Sequence, residues 1–159
     1  MILVLLGTQD KPFLRLLKMV SKEIDKGNIK EKVVAQTGYT AFSDKNMESF
    51  DFKNKEEIEK LIDKARIIIT HAGVGTITEC LEKGKKIIVV PRLKKYLEHT
   101  NDHQMQITKE FEMKGYVIAL YDKSRLSVAL DKIKTFKPKK YESNSENFRM
   151  KIKDYIDNI

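Results

Sequence analysis

Apolar residues along this chain come in two rhythms. Unbroken runs at Ile2–Leu6, Val33–Ala35, Ile67–Thr70 and Ile87–Val90 are each halted within a few residues by Gly or Pro. Runs of this kind suit strands buried on both faces of a parallel sheet. Between them, apolar residues recur every three or four positions, the spacing of a one-sided helix. Phe13, Leu16, Leu17, Val20 and Ile24 form one such set, with Pro12 expected in its first turn and Gly27-Asn28 at its end. Ile58, Leu61, Ile62 and Ala65 form another, with Asn54 as its expected cap. Further helices are predicted over Thr76–Glu82, from Asn101 to about Lys114, from a cap at Ser124 through Ile133, and finally from Ser145 to about Ile156 (about 144–158 at its widest). Met47–Phe52 and Tyr116–Leu120 read as two more short strands, and 39–46 as a polar loop.

Strands alternating with helices predict an α/β domain, a doubly wound parallel sheet of Rossmann-like type, occupying all of 1–159. In such sheets ligands lie outside the carboxyl ends of the strands, so the loops after Leu6, Gln36, Thr70 and Val90 are the candidate site. The chain has 159 residues, 41% hydrophobic and 34% charged, enough for a single core. Lys and Arg exceed Asp and Glu by 31 to 23, a net charge of +8. That balance fits either an anionic partner or a lysine-rich solvated surface. Nucleic acid is disfavoured, since no aromatic residues are interleaved along a basic stripe. The single cysteine, Cys80, allows no internal disulfide and fits a reducing compartment. The first residues carry no basic segment before their apolar run, so they are expected to be a strand and not a leader. No apolar stretch nears the ~20 residues that span a bilayer.

Three groups of residues carry candidate chemistry. Gly73-Val74-Gly75-Thr76 follows a strand and opens a helix, where backbone N–H groups can approach a phosphate without Cβ interference. Thr78 stands where a dinucleotide fingerprint has its third glycine, and Gly7 stands alone after the first strand, so the familiar NAD and ATP loops are absent. Glu79 has two readings. Thr76–Glu79 matches a capping box, and a carboxylate one turn into the helix can also accept both hydroxyls of a ribose. Glu98 to Gln104 is seven polar residues in a row after a buried strand. Asn101 with Gln104 fits a second capping box, and the mixed carboxylate, imidazole and amide groups also suit sugar hydroxyls. The spacing matches no common metal set, so no metal site is assigned. Arg92 is either a bidentate phosphate partner or a solvated loop residue.

His71-Ala72-Gly73, Gly75-Thr76, Glu79, then Val89–Arg92, then Glu98-His99 and Asp102–Gln104, resemble the C-terminal domain of glycosyltransferase family 28. Gly7-Thr8 with Pro12-Phe13, and Gln36 with Gly38, match the same pattern, so the likeness runs from Met1 to about Leu120. It is similar to the short free-standing bacterial members of PssE/EpsE type. The resemblance implies the donor-binding half of a GT-B glycosyltransferase, with Gly73, Val74, Gly75 and Thr76 at a diphosphate and Glu79 at the ribose. Asp102 and Gln104 would contact the sugar, with Gly7, Thr8, His71, Arg92, Glu98 and His99 around the same substrate. It further implies a UDP-sugar donor with no cofactor and a polyprenyl-diphosphate-linked acceptor. A membrane-anchored PssD-like subunit would bind that acceptor and hold this chain at the inner face of the membrane. The catalytic base is unassigned, with His99 the one in-chain candidate. The rival expectation is a non-catalytic subunit that stabilises such a partner.

Overall fold

The computed structural model describes residues 1–143 and 146–158. Six parallel strands form one sheet: β1 (Ile2–Leu5), β2 (Val33–Gln36), β3 (Glu48–Phe50), β4 (Ile67–Thr70), β5 (Lys86–Val89) and β6 (Ile118–Ala119). Their spatial order is β3-β2-β1-β4-β5-β6. The chain therefore runs outward from β1 to one edge, returns, and runs outward to the other from β4. The reversal falls between β1 and β4, paired in register from Ile2 against Ile67 to Leu5 against Thr70. Both edge strands are short, three residues in β3 and two in β6.

The unbroken apolar runs have a direct cause. Ile2, Val4 and Leu6 with Ile67 and Ile69 face one layer, packed under α1 (Leu14–Asp25) and α5 (Leu126–Thr135). Leu3, Leu5, Ile68, Ile87 and Val89 face the other. That second layer is covered by α2 (Lys55–Lys64), α3 (Val74–Glu82), α4 (His103–Met113) and α6 (Glu146–Asp157). Successive strand residues point to opposite faces, and both faces are dry, so polar alternation has no place. The expected start of the last helix at Ser145 lies outside the described residues, as does residue 144.

Four helix starts differ from expectation. Asn54 does cap α2, with Glu57 completing a capping box. α1 begins one residue after Phe13, with Pro12 just outside it, and the Phe13 N–H is taken by Thr40 Oγ1 at 3.0 Å. α3 begins at Val74 with Gly73 as its cap residue, so Thr76 lies inside the helix and forms no box with Glu79. α4 begins at His103 behind Asp102, and the Asn101 amide oxygen instead accepts the His103 N–H in a tight local turn. At α5 the cap position is Arg125, one residue beyond Ser124, with no side-chain cap. At α3 and α4 the spacing of a box is present without the box, and at α4 the Gln104 side chain is claimed by the N–H groups of Ala72 and Arg92.

Candidate donor site at the sheet switch point

A cleft of about 300 Å³ opens over the carboxyl ends of the central strands. It is lined by Gly7 and Thr8 after β1, Gln36 from β2, His71 and Gly73 after β4, and Gly75, Thr76 and Glu79 of α3. Lys53, between β3 and α2, and Lys55, the first residue of α2, complete the rim. The cleft sits where the strand order reverses, the position at which loops diverge and leave a crevice.

His71 sets the shape of this crevice. Its imidazole is wedged between two glycines. A Cβ on Gly7 would lie 2.4 Å from His71 Nε2, and one on Gly73 would lie 2.3 Å from Cε1. Neither position can carry a side chain while the ring is there. Gly7 also holds φ at +80°, which disfavours any L side chain.

The ring is buried, and burial, with the Arg92 charge and His99 adding to it, pushes its pKa down to about 3. His71 is therefore neutral at physiological pH. Its tautomer follows from Gln104. The Gln104 carbonyl oxygen accepts the N–H of Ala72 at 3.1 Å and of Arg92 at 3.0 Å, which leaves the NH₂ group facing His71 Nδ1 at 3.3 Å. Nδ1 must then accept, and the ring proton sits on Nε2, the atom held between the glycines at the cleft wall.

Beside it, α3 starts with bare donors. The first intrahelical bond is Ile77 N–H to Gly73 C=O, so the N–H groups of Val74, Gly75 and Thr76 have no acceptor inside the helix. Together with Nε2–H they make one patch of converging donors and the positive end of a helix. Glu79 lies one turn further in. Its Oε1 is buried and has no hydrogen-bond partner among the described residues. A buried acceptor of this kind is costly unless something donates to it.

The second polar stretch has a different task. Arg92 is 1% exposed, and its guanidinium donates to the carbonyls of Leu6 at 2.6 Å, Lys11 at 2.7 Å and Glu98 at 3.1 Å, lying over the Phe13 ring. Burial lowers its pKa to about 10, so it stays charged. Both readings of Arg92, as a phosphate clamp and as a solvated residue, are thereby corrected: both terminal nitrogens donate to backbone carbonyls, and the buried Nε has no partner among the described residues. Glu98, expected near a sugar, is 3% exposed, and its carboxylate accepts Arg15 Nε and Nη2 and the Leu93 N–H. Gln104 is the brace just described, buried beneath the loops it joins.

His99 is buried outside the cleft, and its Nδ1 accepts the Asn101 N–H at 3.3 Å, leaving the proton on Nε2. That hydrogen bond occupies the lone pair a base would use. Asp102 is exposed, and its Oδ1 accepts the Lys94 N–H at 2.9 Å. Val74 turns its side chain to a separate groove with Phe111 and Phe148. The structure thus brings Gly7, Thr8, His71, Gly73, Gly75, Thr76 and Glu79 to one cleft. Arg92, Glu98, His99, Asp102 and Gln104 do not line it. Gln36, part of the family pattern, lines the cleft too; Lys53 and Lys55 belong to it and carried no signal as site residues, since single lysines are unremarkable in a chain this basic.

A six-stranded parallel sheet with a donor-rich crevice at its switch point is the architecture of the C-terminal half of GT-B glycosyltransferases. The glycotransferase of kitacinnamycin superposes with a TM-score of 0.64 at 16% identity, covering 97% of this chain and 39% of that one. The solution structure of ALG13 superposes with a TM-score of 0.57 at 18% identity, covering 93% and 92%. The chain belongs to the glycosyltransferase family 28 C-terminal domain family, whose model matches residues 1–159. It is 35% identical over 66 residues to the human UDP-N-acetylglucosamine transferase subunit ALG13, covering 42% of this chain. It is 31% identical over 138 residues, 84% of its length, to the UDP-N-acetylglucosamine–N-acetylmuramyl-(pentapeptide) pyrophosphoryl-undecaprenol N-acetylglucosamine transferase of Clostridium tetani. It spans 6% of the first relative and 34% of the second.

Two predictions follow from the His71 wedge. Gly73→Ala should unfold or strongly destabilise the protein, while the same change on a His71→Ala background should be tolerated. Thermal melts of the two singles and the double give the coupling, and additive losses would show that the ring does not enforce the glycine. The second concerns pH. A histidine held neutral in the fold but protonated in the unfolded chain weakens the native state as pH falls below about 6.5, until about pH 3. Between pH 7 and pH 4.5, wild type should therefore lose about 2–3 kcal/mol more stability than His71→Gln in denaturant titrations.

Proposed function

We propose that this chain is the donor-binding, catalytic subunit of a two-subunit inverting glycosyltransferase. In this reading a UDP-sugar sits in the switch-point cleft. A membrane-anchored subunit of PssD-like type supplies the acceptor, a saccharide on a polyprenyl diphosphate, in capsular or exopolysaccharide synthesis. The PssE/EpsE kind of short subunit is the form this takes. Both relatives named above carry UDP-N-acetylglucosamine in their names, which makes that nucleotide sugar the first donor to test.

The observation that carries the proposal is Glu79 Oε1, a buried acceptor without a donor, one helical turn from a cluster of donors without acceptors. A nucleoside diphosphate satisfies both at once. Its ribose hydroxyls donate to Glu79, and its phosphate oxygens accept from Val74, Gly75 and Thr76 N–H and from His71 Nε2–H. Lys53 and Lys55 add positive charge at the rim.

The chemistry follows from that placement. The acceptor hydroxyl attacks the anomeric carbon from the face opposite the diphosphate, the glycosidic bond to UDP breaks, and configuration inverts. Negative charge grows on the leaving diphosphate. The helix start and the neutral imidazole are already oriented toward it, so stabilisation needs no rearrangement at the moment of reaction. With the His99 lone pair engaged, the base that takes the acceptor proton comes from across the cleft, on the partner. Asp102, exposed near the same sheet edge, remains the candidate for a sugar contact.

Calorimetry with UDP tests the site. Wild type should bind, and Glu79→Ala should weaken binding by about ten-fold or more, the worth of hydrogen bonds to a charged acceptor. Gly75→Ala adds a further discrimination. Its Cβ would meet nothing within 4 Å, and α3 should gain up to about 1 kcal/mol from losing an interior glycine. Weaker UDP binding by a Gly75→Ala protein of unchanged or higher melting temperature would put the ligand against the helix start. Undiminished binding by both variants would sink the assignment.

A further inference from the structure

A second surface stands apart from the cleft. The outer side of α1 and the 3₁₀ turn Lys94–Tyr96 enclose a groove of about 560 Å³, floored by Pro12, Leu14, Met19 and the Tyr96 ring. Lys18 and Lys22 form its rim. Beside it Leu97 stands 78% exposed, and Tyr96 46%.

Several features of this face are unfavourable for a surface meant only for water. Leu97 has φ +58°, the left-handed region that a branched side chain rarely takes, and it is the one described non-glycine residue there. A strained backbone that displays a large apolar side chain to solvent combines two penalties. Such outliers persist where they have a use. Lys18 and Lys22 are four apart on one helix row, a like-charge spacing that disfavours the helix. Neither has an ion-pair partner among the described residues, nor do Lys11 and Lys94. The nearby acids are already taken: Glu98 holds Arg15, and Asp122 accepts from Lys95 and from the Tyr96 hydroxyl. What remains is uncompensated positive charge around an apolar floor, with an aromatic ring and a leucine projecting.

We propose that this face docks on the anionic surface of a phospholipid bilayer, the lysines against phosphate headgroups and Leu97 with Tyr96 entering the interface. Charge complementarity selects this occupant. An apolar protein partner would leave Lys18 and Lys22 still facing each other without a counter-charge, whereas a sheet of lipid phosphates neutralises both while accepting the leucine. The 3₁₀ turn and the first turn of α1 both follow carboxyl ends of strands, as the switch-point cleft does. Docking here brings the cleft edge of the sheet close to the membrane plane. The contact belongs to this chain itself and needs neither a sugar nucleotide nor a partner subunit.

Co-sedimentation with phosphatidylcholine vesicles, with and without phosphatidylglycerol, tests the proposal at low and moderate salt. Wild type should bind only the vesicles containing phosphatidylglycerol, and less as salt rises. Lys18→Gln/Lys22→Gln should lower the partition coefficient about 25-fold, five-fold for each lysine. The same charge change on the opposite layer, Lys60→Gln/Lys64→Gln in α2, should leave binding near wild type. Leu97→Gly removes the apolar anchor and relieves the backbone, so its melting temperature should hold or rise while partitioning falls about ten-fold. Absence of wild-type binding overturns the proposal. So does an equal loss in the α2 variant, which would reduce the effect to net charge, or wild-type binding by Leu97→Gly, which would make the face a polyanion patch and not a membrane anchor.

Discussion

A buried guanidinium holds the ligand edge of this domain together. Arg92, just past β5, reaches across β4 to the Leu6 carbonyl just past β1. On the way it ties Lys11 before α1 and Glu98 before α4. A charge this deep needs acceptors and a counter-charge near: its two terminal nitrogens find carbonyls, its Nε finds none among the described residues, and Glu98 supplies the counter-charge while gripping Arg15. Gln104 does the same for the neighbouring loops with a neutral group, joining Ala72 and Arg92 through one carbonyl oxygen. Three loops that could move independently become one rigid wall. The position of His71, and through it the two glycines, depends on that wall.

Most of the fold was legible from hydrophobic rhythm alone. The four central strands, the parallel class and the site loops follow from unbroken runs alternating with helical spacing, because two dry faces leave no other pattern; the short edge strands β3 and β6, exposed or half-buried, carry a weaker pattern. Helix starts were less legible. Thr76 with Glu79 and Asn101 with Gln104 have the spacing of capping boxes, yet Gln104 bridges two strands' loops and Asn101 closes a local turn. Spacing within ten residues cannot show a partner thirty residues away.

The candidate site divides along the same line. Residues that act through backbone or shape were legible from their types: Gly7, Gly73, Gly75 and Thr76 all lie at the cleft. Polar residues after β5 were not, because a run of Glu, His, Asn, Asp and Gln looks alike whether it faces a ligand or braces a loop. Arg92 shows the difficulty most clearly. Its local sequence is a loop beside a proline, and only the three-dimensional path of β1 reveals the carbonyls it serves. Lys53 and Lys55 posed the reverse problem, ordinary lysines brought to the rim by the short β3.

The sheet's two borders matter for what the domain does when it meets itself. A parallel sheet with long open borders offers every passing copy a ladder to extend. Here β6 presents two residues and β3 three, and Glu48 on β3 pairs with Lys32 and leaves the border charged. Neighbouring molecules at high concentration find no hydrogen-bonding template long enough to seed a fibril. The truncated borders act as a colloidal safeguard, separate from anything the cleft performs.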